Sequence, residues 1–408
     1  MSAPSNVDAP IALVVSAAAF SGGANTYESG LLRQIEASPG AHRFTIISVG
    51  SHRSSPPKAG SVRILDYKER RRSRLGSLLR SSVLGVRLLE VLGFRYSAFE
   101  RFLIKAGIEV VYFVSPTPLT LSVTHFPVVN TVWDVGHLDL PMFPELSGGR
   151  FFVDREYFFR KIIPRSSLIV VDSDALASKV CGIYGFSRHR CLILPFEALI
   201  QNSGDYSPDR SGADNNFGSS SQKFPVIIYP AQFWPHKRHL LLLRAFKLLL
   251  EVFPDAHLIL TGSDKGNLSH IVNWVSELGI SESVQFLGFV DYSELLREIA
   301  GADLLVFPSD LGPTNLPPLE ALKLGTRSLV SVAHEFSPWP EGCHRVPQQT
   351  ADAWAGQMMN CLRMESLEPR VSCDQFSLEV AGVIARCSEL LDLVEEWGGI
   401  KARFQRND

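Results

Sequence analysis

Two stretches of this sequence place groups that could bind a phosphate directly after short apolar runs. In YPAQFWPHKRH, residues 229–239, the side chains of His236, Lys237 and Arg238 follow the apolar run VIIYP. Ligands of an open parallel sheet bind at the carboxyl ends of its strands, so a phosphate group could reach these side chains. Two structural alternatives stay open: Lys237 as a surface lysine, and His236 as a hydrogen-bonded polar residue without a catalytic role.

The second stretch, FPSDLGPTNLPPLEALKLG (307–325), runs from a strand end through a polar turn into a predicted helix. Pro317 and Pro318 suit the first turn of this helix, and Gly325 suits its end. The backbone N–H groups of residues 312–315 could therefore hold a diphosphate at the helix N-terminus. The Glu320 carboxylate could accept hydrogen bonds from ribose hydroxyls. Together the two stretches predict a nucleotide site.

A glycine pair follows the first apolar run, in SGGANTYESGLL (21–32). Gly22 and Gly23 would let backbone N–H groups approach a ligand, and a helix that begins near Thr26 or Tyr27 would favour an anion. The GxGxxG spacing of a dinucleotide site is absent, and no acidic residue stands at the usual distance for ribose contact. The pair alone is equally consistent with a structural turn between a strand and a helix.

Short apolar runs alternate with helix-like segments along both halves of the chain, as in proteins with buried parallel sheets. The runs of the first half are residues 11–20, 43–50, 108–115, 126–134, 167–173 and 190–196. Those of the second half are residues 224–230, 257–262, 283–290, 302–309 and 327–332. The fold class predicted is α/β, with two Rossmann-like, doubly wound domains.

Domain boundaries follow from the same pattern. Ser, Gly, Asn and Asp dominate residues 201–223, which predicts a linker between two domains, since 408 residues are enough for both. The first domain would span residues 1–200 and the second residues 224–385. We expect a C-terminal helix over residues 386–408 that could pack back on the first domain.

The composition excludes several classes of function. The 40 basic and 42 acidic residues leave a net charge of -2, so no overall attraction to nucleic acid is expected. The six cysteines form no CxxC pair and no zinc spacing with histidine, which argues against a disulfide framework and a structural metal site. Without a basic n-region or an apolar run of about 18 residues, we expect a cytoplasmic protein with no span.

Several motifs in their order along the chain resemble the donor-nucleotide domain of the GT-B retaining glycosyltransferases of family four. These are YPAQFWPHKRH, LTG, VQFLGFV and GPTNLPPLEALKLG. In the first half, FPVVNTVWDVGHLDLPMFPE resembles the family's HD…P segment, and SLIVVDSDALASKV resembles its strand and Ser-bearing turn. The match covers roughly residues 10–335, and AQFWPHK and GPTNLPPLEA are similar to a bacterial surface-polysaccharide subset.

The resemblance implies two domains that face a cleft, with a nucleotide-sugar donor bound mainly by the second and the acceptor by the first. It implies three catalytic residues: His137 against the sugar and the acceptor, Lys237 on the phosphate charge, and Glu320 on the ribose. The other donor-binding residues that it implies are Gly22, Gly23, Gln232, Arg238, Gly288, Phe289, Thr314, Asn315 and Leu316.

Two positions depart from the family pattern. Gln232 stands where the family usually has an Arg, and Gly312 stands where it usually has a Glu that contacts the donor sugar. These changes leave the identity of the sugar open, together with a reading as a pseudo-enzyme. DSD (172–174) has the DxD shape that holds a metal–diphosphate elsewhere, but it falls at a non-metal turn of the family, so we expect neither metal nor cofactor.

The sequence therefore predicts retaining transfer of a hexose or deoxyhexose from a nucleotide-sugar to a saccharide acceptor. The acceptor would be lipid-linked, in polysaccharide or O-antigen biosynthesis. No carboxylate pair suggests a covalent double displacement, so the chemistry would depend on stabilising the leaving diphosphate and an oxocarbenium-like centre. Two alternatives stay open: a nucleotide-sugar epimerase of the same fold, and a catalytically silent scaffold that binds nucleotide-sugars.

One basic stretch stands apart from these motifs. KERRRSR (68–74) precedes leucines and valines at roughly helical spacing. It is either an ordinary solvated surface helix or an interfacial helix that binds anionic lipid. Our hypothesis is that residues 68–90 make a peripheral contact with the inner face of the cell membrane.

Overall fold

The computed structural model describes residues 9–15, 23–38, 41–50, 62–68, 96–195, 224–311, 316–332, 342–364 and 375–396. The chain divides into two compact units. The first unit consists of residues 1–135, 152–195 and 374–408, and the second of residues 136–151 and 196–373. Residues 136–151 therefore pack with the second unit, although the predicted linker at residues 201–223 follows them in the chain.

Thirteen strands lie within the described residues, and their Val- and Ile-rich sequences suit sheets that are buried on both faces. Those of the first unit are β1 (Ile11–Val15), β2 (Phe44–Val49), β3 (Arg63–Tyr67), β4 (Val110–Phe113), β5 (Val128–Thr131), β6 (Leu168–Val171) and β7 (Cys191–Ile193). Those of the second unit are β8 (Val226–Pro230), β9 (His257–Thr261), β10 (Val284–Gly288), β11 (Leu304–Phe307), β12 (Arg327–Ser331) and β13 (Cys343–Val346).

Twelve α-helices lie in the same described ranges. They are α1 (Gly23–Ala37), α2 (Ala98–Ala106), α3 (Gly136–Asp139), α4 (Pro144–Ser147), α5 (Phe151–Ile162), α6 (Asp174–Tyr184), α7 (His239–Leu250), α8 (Leu268–Glu277), α9 (Tyr292–Gly301), α10 (Leu316–Leu324), α11 (Ala351–Arg363) and α12 (Gln375–Glu396). None of these helices is long and apolar enough to span a membrane.

Each unit is built on one parallel sheet with the Rossmann strand order. The first sheet runs β3-β2-β1-β4-β5-β6-β7 and the second β10-β9-β8-β11-β12-β13. All pairings are parallel, for example Leu304 with Ile227 between β11 and β8. The strand order reverses between β1 and β4 and again between β8 and β11, and crevices for ligands form at such switch points. The loops that follow β8 and β11 therefore flank the crevice of the second sheet.

A close backbone contact holds the carboxyl edge of the second sheet together. Gly262, directly after β9, has a φ of +153°, and a Cβ atom there would lie 2.2 Å from the carbonyl oxygen of Ala231. Only glycine permits this approach without a shift of the backbone. The loop after β8 is thereby packed against the end of β9, which fixes its course toward the switch point.

The C-terminal helix belongs to the first unit. Helix α12 packs against α1 and β4 and buries Val380, Cys387 and Leu391 at helical spacing. It begins at Gln375, ahead of residue 386, where the sequence predicts the start of a separate helix. Its apolar stripe already includes residues before 386, so the helix extends toward the N-terminus as far as that stripe does.

Candidate functional site

Lys237 lies at the switch point of the second sheet. It belongs to the loop after β8 and contacts the loop after β11. It ends a 3-10 turn, Pro235–Lys237, that follows β8. Its Nζ atom donates hydrogen bonds to the Ser309 hydroxyl (3.2 Å) and to the Leu311 carbonyl oxygen (3.0 Å), both in the loop after β11. The ammonium group also lies 5.1 Å from the centre of the Phe307 ring. A cation is thus held where a ligand of such a sheet binds.

Arg238 contacts the same loop from a strained backbone position. Its φ of 56° makes it the one non-glycine residue with positive φ in the described parts of the chain. For an L-residue this conformation costs roughly 1–2 kcal/mol. Its Nε atom lies 3.2 Å from Asp310 Oδ2. Burial raises the pKa of Asp310, and the Arg238 charge lowers it. Both predicted cations therefore contact the loop after β11.

His236 is buried and contacts an acidic residue that sequence reasoning did not select. Glu145 Oε1 accepts a hydrogen bond from the His236 backbone N–H (2.8 Å) and lies 2.6 Å from the Nδ1 atom of its ring. Both residues belong to the second unit. Glu145 is the last residue of the stretch FPVVNTVWDVGHLDLPMFPE, so the resemblance pointed to its segment but not to its contact.

Glu320 is a buried carboxylate in the second turn of α10, with 2% of its surface exposed. Its Oε1 atom accepts a hydrogen bond of 2.9 Å from the Tyr292 hydroxyl at the start of α9. Burial raises the pKa of Glu320 to about 7, against smaller lowering effects of Tyr292 and Lys323. The sequence suggested a ribose-binding carboxylate here, but it did not indicate Tyr292 or the raised pKa.

Three other predicted residues lie at the carboxyl ends of β8 and β10, the strands on either side of β9. Gly288 ends β10 with φ of +68°, and its carbonyl oxygen accepts hydrogen bonds from Gly262 N–H (2.7 Å) and the Thr261 hydroxyl (2.8 Å). Phe289 follows with 49% of its surface exposed. The Oε1 atom of Gln232, after β8, accepts a hydrogen bond of 3.0 Å from the Trp234 indole N–H. The edge that carries Lys237 thus also carries these residues.

The remaining predicted residues divide into two groups. His137 is fully buried in the short helix α3 and belongs to the second unit, and buried Leu316 begins α10. Gly23 begins α1 in the first unit. Outside the described residues lie Gly22, Thr314 and Asn315, the altered position Gly312, and most of the basic stretch 68–90.

The DSD stretch forms a helix cap in the first unit. The Ser173 hydroxyl accepts a hydrogen bond from the Leu176 backbone N–H (3.2 Å) and donates one to Asp172 Oδ1 (2.9 Å). Burial raises the pKa of Asp172 to about 7, with a further contribution from Asp134. Asp174 is ion-paired with Arg188. No three His, Cys, Asp or Glu side chains of the described residues are placed to hold a metal ion.

Sequence comparisons find a family model that matches part of the second unit and two curated relatives. The family model described as "Glycosyl transferases group 1" matches residues 213–366. The chain is 28% identical to D-inositol 3-phosphate glycosyltransferase of Nocardia farcinica over 186 residues. This aligned region is 44% of this chain and 40% of that protein. Over 172 residues the chain is 26% identical to an uncharacterized glycosyltransferase of Methanocaldococcus jannaschii, which is 41% of this chain. It thus spans 40% and 42% of the lengths of these two relatives.

Solved structures resemble nearly the whole chain. Sucrose-phosphate synthase from Thermosynechococcus elongatus superimposes with a TM-score of 0.62 at 18% identity, over 95% of this chain and 98% of its own. Anabaena HepE, solved with UDP and glucose, superimposes with a TM-score of 0.60 at 14% identity, over 97% of this chain and 98% of its own. WaaG, a glycosyltransferase involved in lipopolysaccharide biosynthesis, superimposes with a TM-score of 0.56 at 13% identity, over 93% of this chain and 95% of its own. The predicted fold class of two Rossmann-like GT-B domains is confirmed, and the two curated relatives are both described as glycosyltransferases.

Proposed function

We propose that this protein is a retaining glycosyltransferase that moves a hexose or deoxyhexose from a nucleotide-sugar to a saccharide acceptor. The observation that carries the proposal is the position of Lys237, whose ammonium group lies between the two loops at the switch point of the second sheet. The buried carboxylate of Glu320 on the neighbouring helix α10 supplies an acceptor for ribose hydroxyls. The structural relative HepE, crystallised with UDP and glucose, supports a nucleotide-sugar donor.

In this proposal Lys237 acts on the diphosphate that leaves the sugar. Its positive charge offsets the negative charge that develops as the glycosidic bond to the phosphate breaks. The N-terminus of α10 adds the partial positive charge of the helix dipole. His137 lies against the sugar and the acceptor. No residue takes a covalent role in this proposal, because the sequence indicates no carboxylate pair for a double displacement.

A panel of nucleotide-sugars tests the proposed function directly. Purified protein is incubated with each donor and with saccharide acceptors, and the products are separated and their anomeric configuration is read by NMR. Transfer with retention supports the proposal. Epimerisation of the donor without transfer would identify the epimerase alternative, and binding without turnover would identify a scaffold. Transfer with inversion would contradict the retaining mechanism alone.

We expect turnover to persist in a chelator. Lys237 and a helix N-terminus meet the diphosphate charge in this proposal, so a divalent cation has no assigned role. The rate of transfer is measured in excess EDTA and again after added Mg²⁺ or Mn²⁺. A rate that falls in EDTA and returns with either cation would contradict metal independence. The DSD stretch at residues 172–174 would then be the candidate metal site.

We further propose that the acceptor is lipid-linked and that the protein works in polysaccharide or O-antigen biosynthesis, at the inner face of the cell membrane. The structural relative WaaG, involved in lipopolysaccharide biosynthesis, supports this setting. The basic stretch 68–90 would provide the membrane contact, because each basic residue near an anionic leaflet contributes about 1 kcal/mol.

Replacing the four arginines of that stretch tests the membrane contact. Arg70, Arg71, Arg72 and Arg74 all changed to Ser should abolish sedimentation with liposomes that contain anionic lipid at low salt. Transfer to a short soluble acceptor should stay intact, because the change lies outside the proposed donor site. A wild-type protein that does not sediment with these liposomes would show that the stretch is an ordinary surface segment.

A further inference from the structure

A buried acid–histidine pair joins the segment 136–151 to the turn that carries Lys237. Glu145 Oε1 accepts a hydrogen bond from the His236 backbone N–H at 2.8 Å, and the same oxygen lies 2.6 Å from His236 Nδ1. The exposed fractions of the two side chains are 7% for Glu145 and 10% for His236. One carboxylate oxygen therefore fixes both the backbone and the ring of His236.

His236 in turn touches both loops at the switch point. It is the residue before Lys237 in the 3-10 turn Pro235–Lys237, and its carbonyl oxygen accepts a hydrogen bond of 2.9 Å from the Asp310 backbone N–H. The Lys237 ammonium group contacts Ser309 and Leu311 in that same loop. A change in the position of His236 would therefore move the lysine and the loop against which the lysine is held.

Aromatic rings hold the imidazole of His236 in place. The Phe143 ring meets it edge-on, with ring centres 6.3 Å apart, and the Trp234 ring stacks on it at 6.4 Å. With the ring confined in this way, its Nδ1 atom faces the Glu145 carboxylate. Phe143 and Glu145 come from the same short stretch of segment 136–151.

Glu145 also lowers the stability of the fold, which a residue kept only for packing would not do. Its second oxygen, Oε2, is buried and has no hydrogen-bond partner among the residues that the structure describes. A buried carboxylate oxygen left without a donor lowers stability, and an apolar side chain of similar size would avoid the loss. Such a local conflict in a folded protein points to a functional constraint.

We propose that Glu145 is a positioning residue of the donor site, which acts through His236 to set the turn that presents Lys237 to the diphosphate. The inference rests on the proposed function and goes beyond it. Glu145 does not touch the ligand; it fixes the place of the residue that does. Its loss therefore weakens binding only as far as Lys237 depends on it.

The test measures binding of nucleoside diphosphates by calorimetry, with UDP and GDP as probes. Glu145→Ala should weaken binding of the preferred probe by about tenfold to a hundredfold, since small misplacements of a binding group have effects of this size. Glu145→Gln should retain most of the affinity, because its amide oxygen can still accept both hydrogen bonds. The matched control is Glu282→Ala, which removes an exposed carboxylate from the second unit.

A double-mutant cycle separates positioning from general structure. If Glu145 acts through Lys237, Glu145→Ala should add little to the loss already caused by Lys237→Ala. His236→Ala should likewise be non-additive with Glu145→Ala, and it carries the test if Glu145→Ala does not fold. Thermal unfolding of each variant shows which of them are folded.

Two results would overturn the inference while the proposed function stands. One is wild-type affinity in folded Glu145→Ala, and the other is full additivity of Glu145→Ala with Lys237→Ala. A wild-type protein that binds neither UDP, GDP nor any nucleotide-sugar of the panel would overturn the proposed function, and the inference with it.

Discussion

Lys237→Ala is expected to lower the rate of glycosyl transfer by about 10²-fold to 10³-fold, the loss typical of removing one preorganised group from a developing negative charge. The ammonium group is held by the Ser309 hydroxyl and the Leu311 carbonyl oxygen, so it is already in place before the donor binds. Preorganisation of this kind lowers the barrier because no rearrangement is needed as the bond breaks. Steady-state kinetics with the donor identified in the panel measures the effect on kcat and on KM.

Two further variants sharpen this test. Lys237→Arg keeps the charge but replaces a compact ammonium group with a planar fork, which does not fit two acceptors placed for a single Nζ atom. We expect it to recover only part of the rate. Lys247→Ala removes an exposed lysine of α7 and should leave the rate unchanged. If folded Lys237→Ala transfers sugar at a rate close to that of the wild type, Lys237 is not at the reacting diphosphate.

The sequence predicted the sheets well where strands are buried on both faces. All eleven apolar runs contain a strand, namely β1, β2 and β4 to β12, because buried strands of parallel sheets are continuous runs of Val, Ile and Leu. Strands β3 and β13 were missed. They lie at the edges of their sheets, and their sequences RILDY and CHRV mix polar and apolar residues because one side of each is partly exposed.

The candidate site was predictable only as far as local pattern reaches. Lys237 and Glu320 follow strand ends and a helix start, which are visible in the sequence. The contact between Glu145 and His236 spans 91 positions, and a glutamate near a helix start is by itself an ordinary favourable placement. The left-handed backbone conformation of Arg238 was not predictable from the sequence either, because glycine is the usual residue at such a position. These features depend on tertiary contacts that local patterns do not record.

Glu320→Ala is expected to weaken binding of the donor by more than about tenfold, because a hydrogen bond to a charged group contributes roughly 1.5–3 kcal/mol. The carboxylate is almost fully buried, and within the described residues it accepts a hydrogen bond from the Tyr292 hydroxyl. Ribose hydroxyls would therefore provide donors that favour its ionised form. Calorimetry with the donor identified in the panel measures the loss, and Glu282→Ala, an exposed carboxylate elsewhere in the second unit, serves as the control.

The raised pKa of Glu320 gives the same residue a second signature in the dependence on pH. Burial raises this pKa from 4.5 to about 7, so the folded protein without donor holds the proton more tightly than the unfolded chain does. The group therefore stabilises the fold fully below pH 4.5, and this contribution is lost as the pH rises through about 7. Relative to Glu320→Gln, the wild-type free energy of unfolding should fall by about 3 kcal/mol across that range.

Donor binding should show the opposite trend with pH. If the ionised carboxylate accepts the ribose hydroxyls, binding must displace its proton below pH 7, so affinity should rise as the pH increases from about 5.5 to 8. In Glu320→Gln this rise should disappear, because the amide does not titrate. A nucleotide-sugar is the right probe, since its diphosphate has no terminal phosphate group that titrates in this range. Equal pH dependence in wild type and folded Glu320→Gln would remove Glu320 from the donor site.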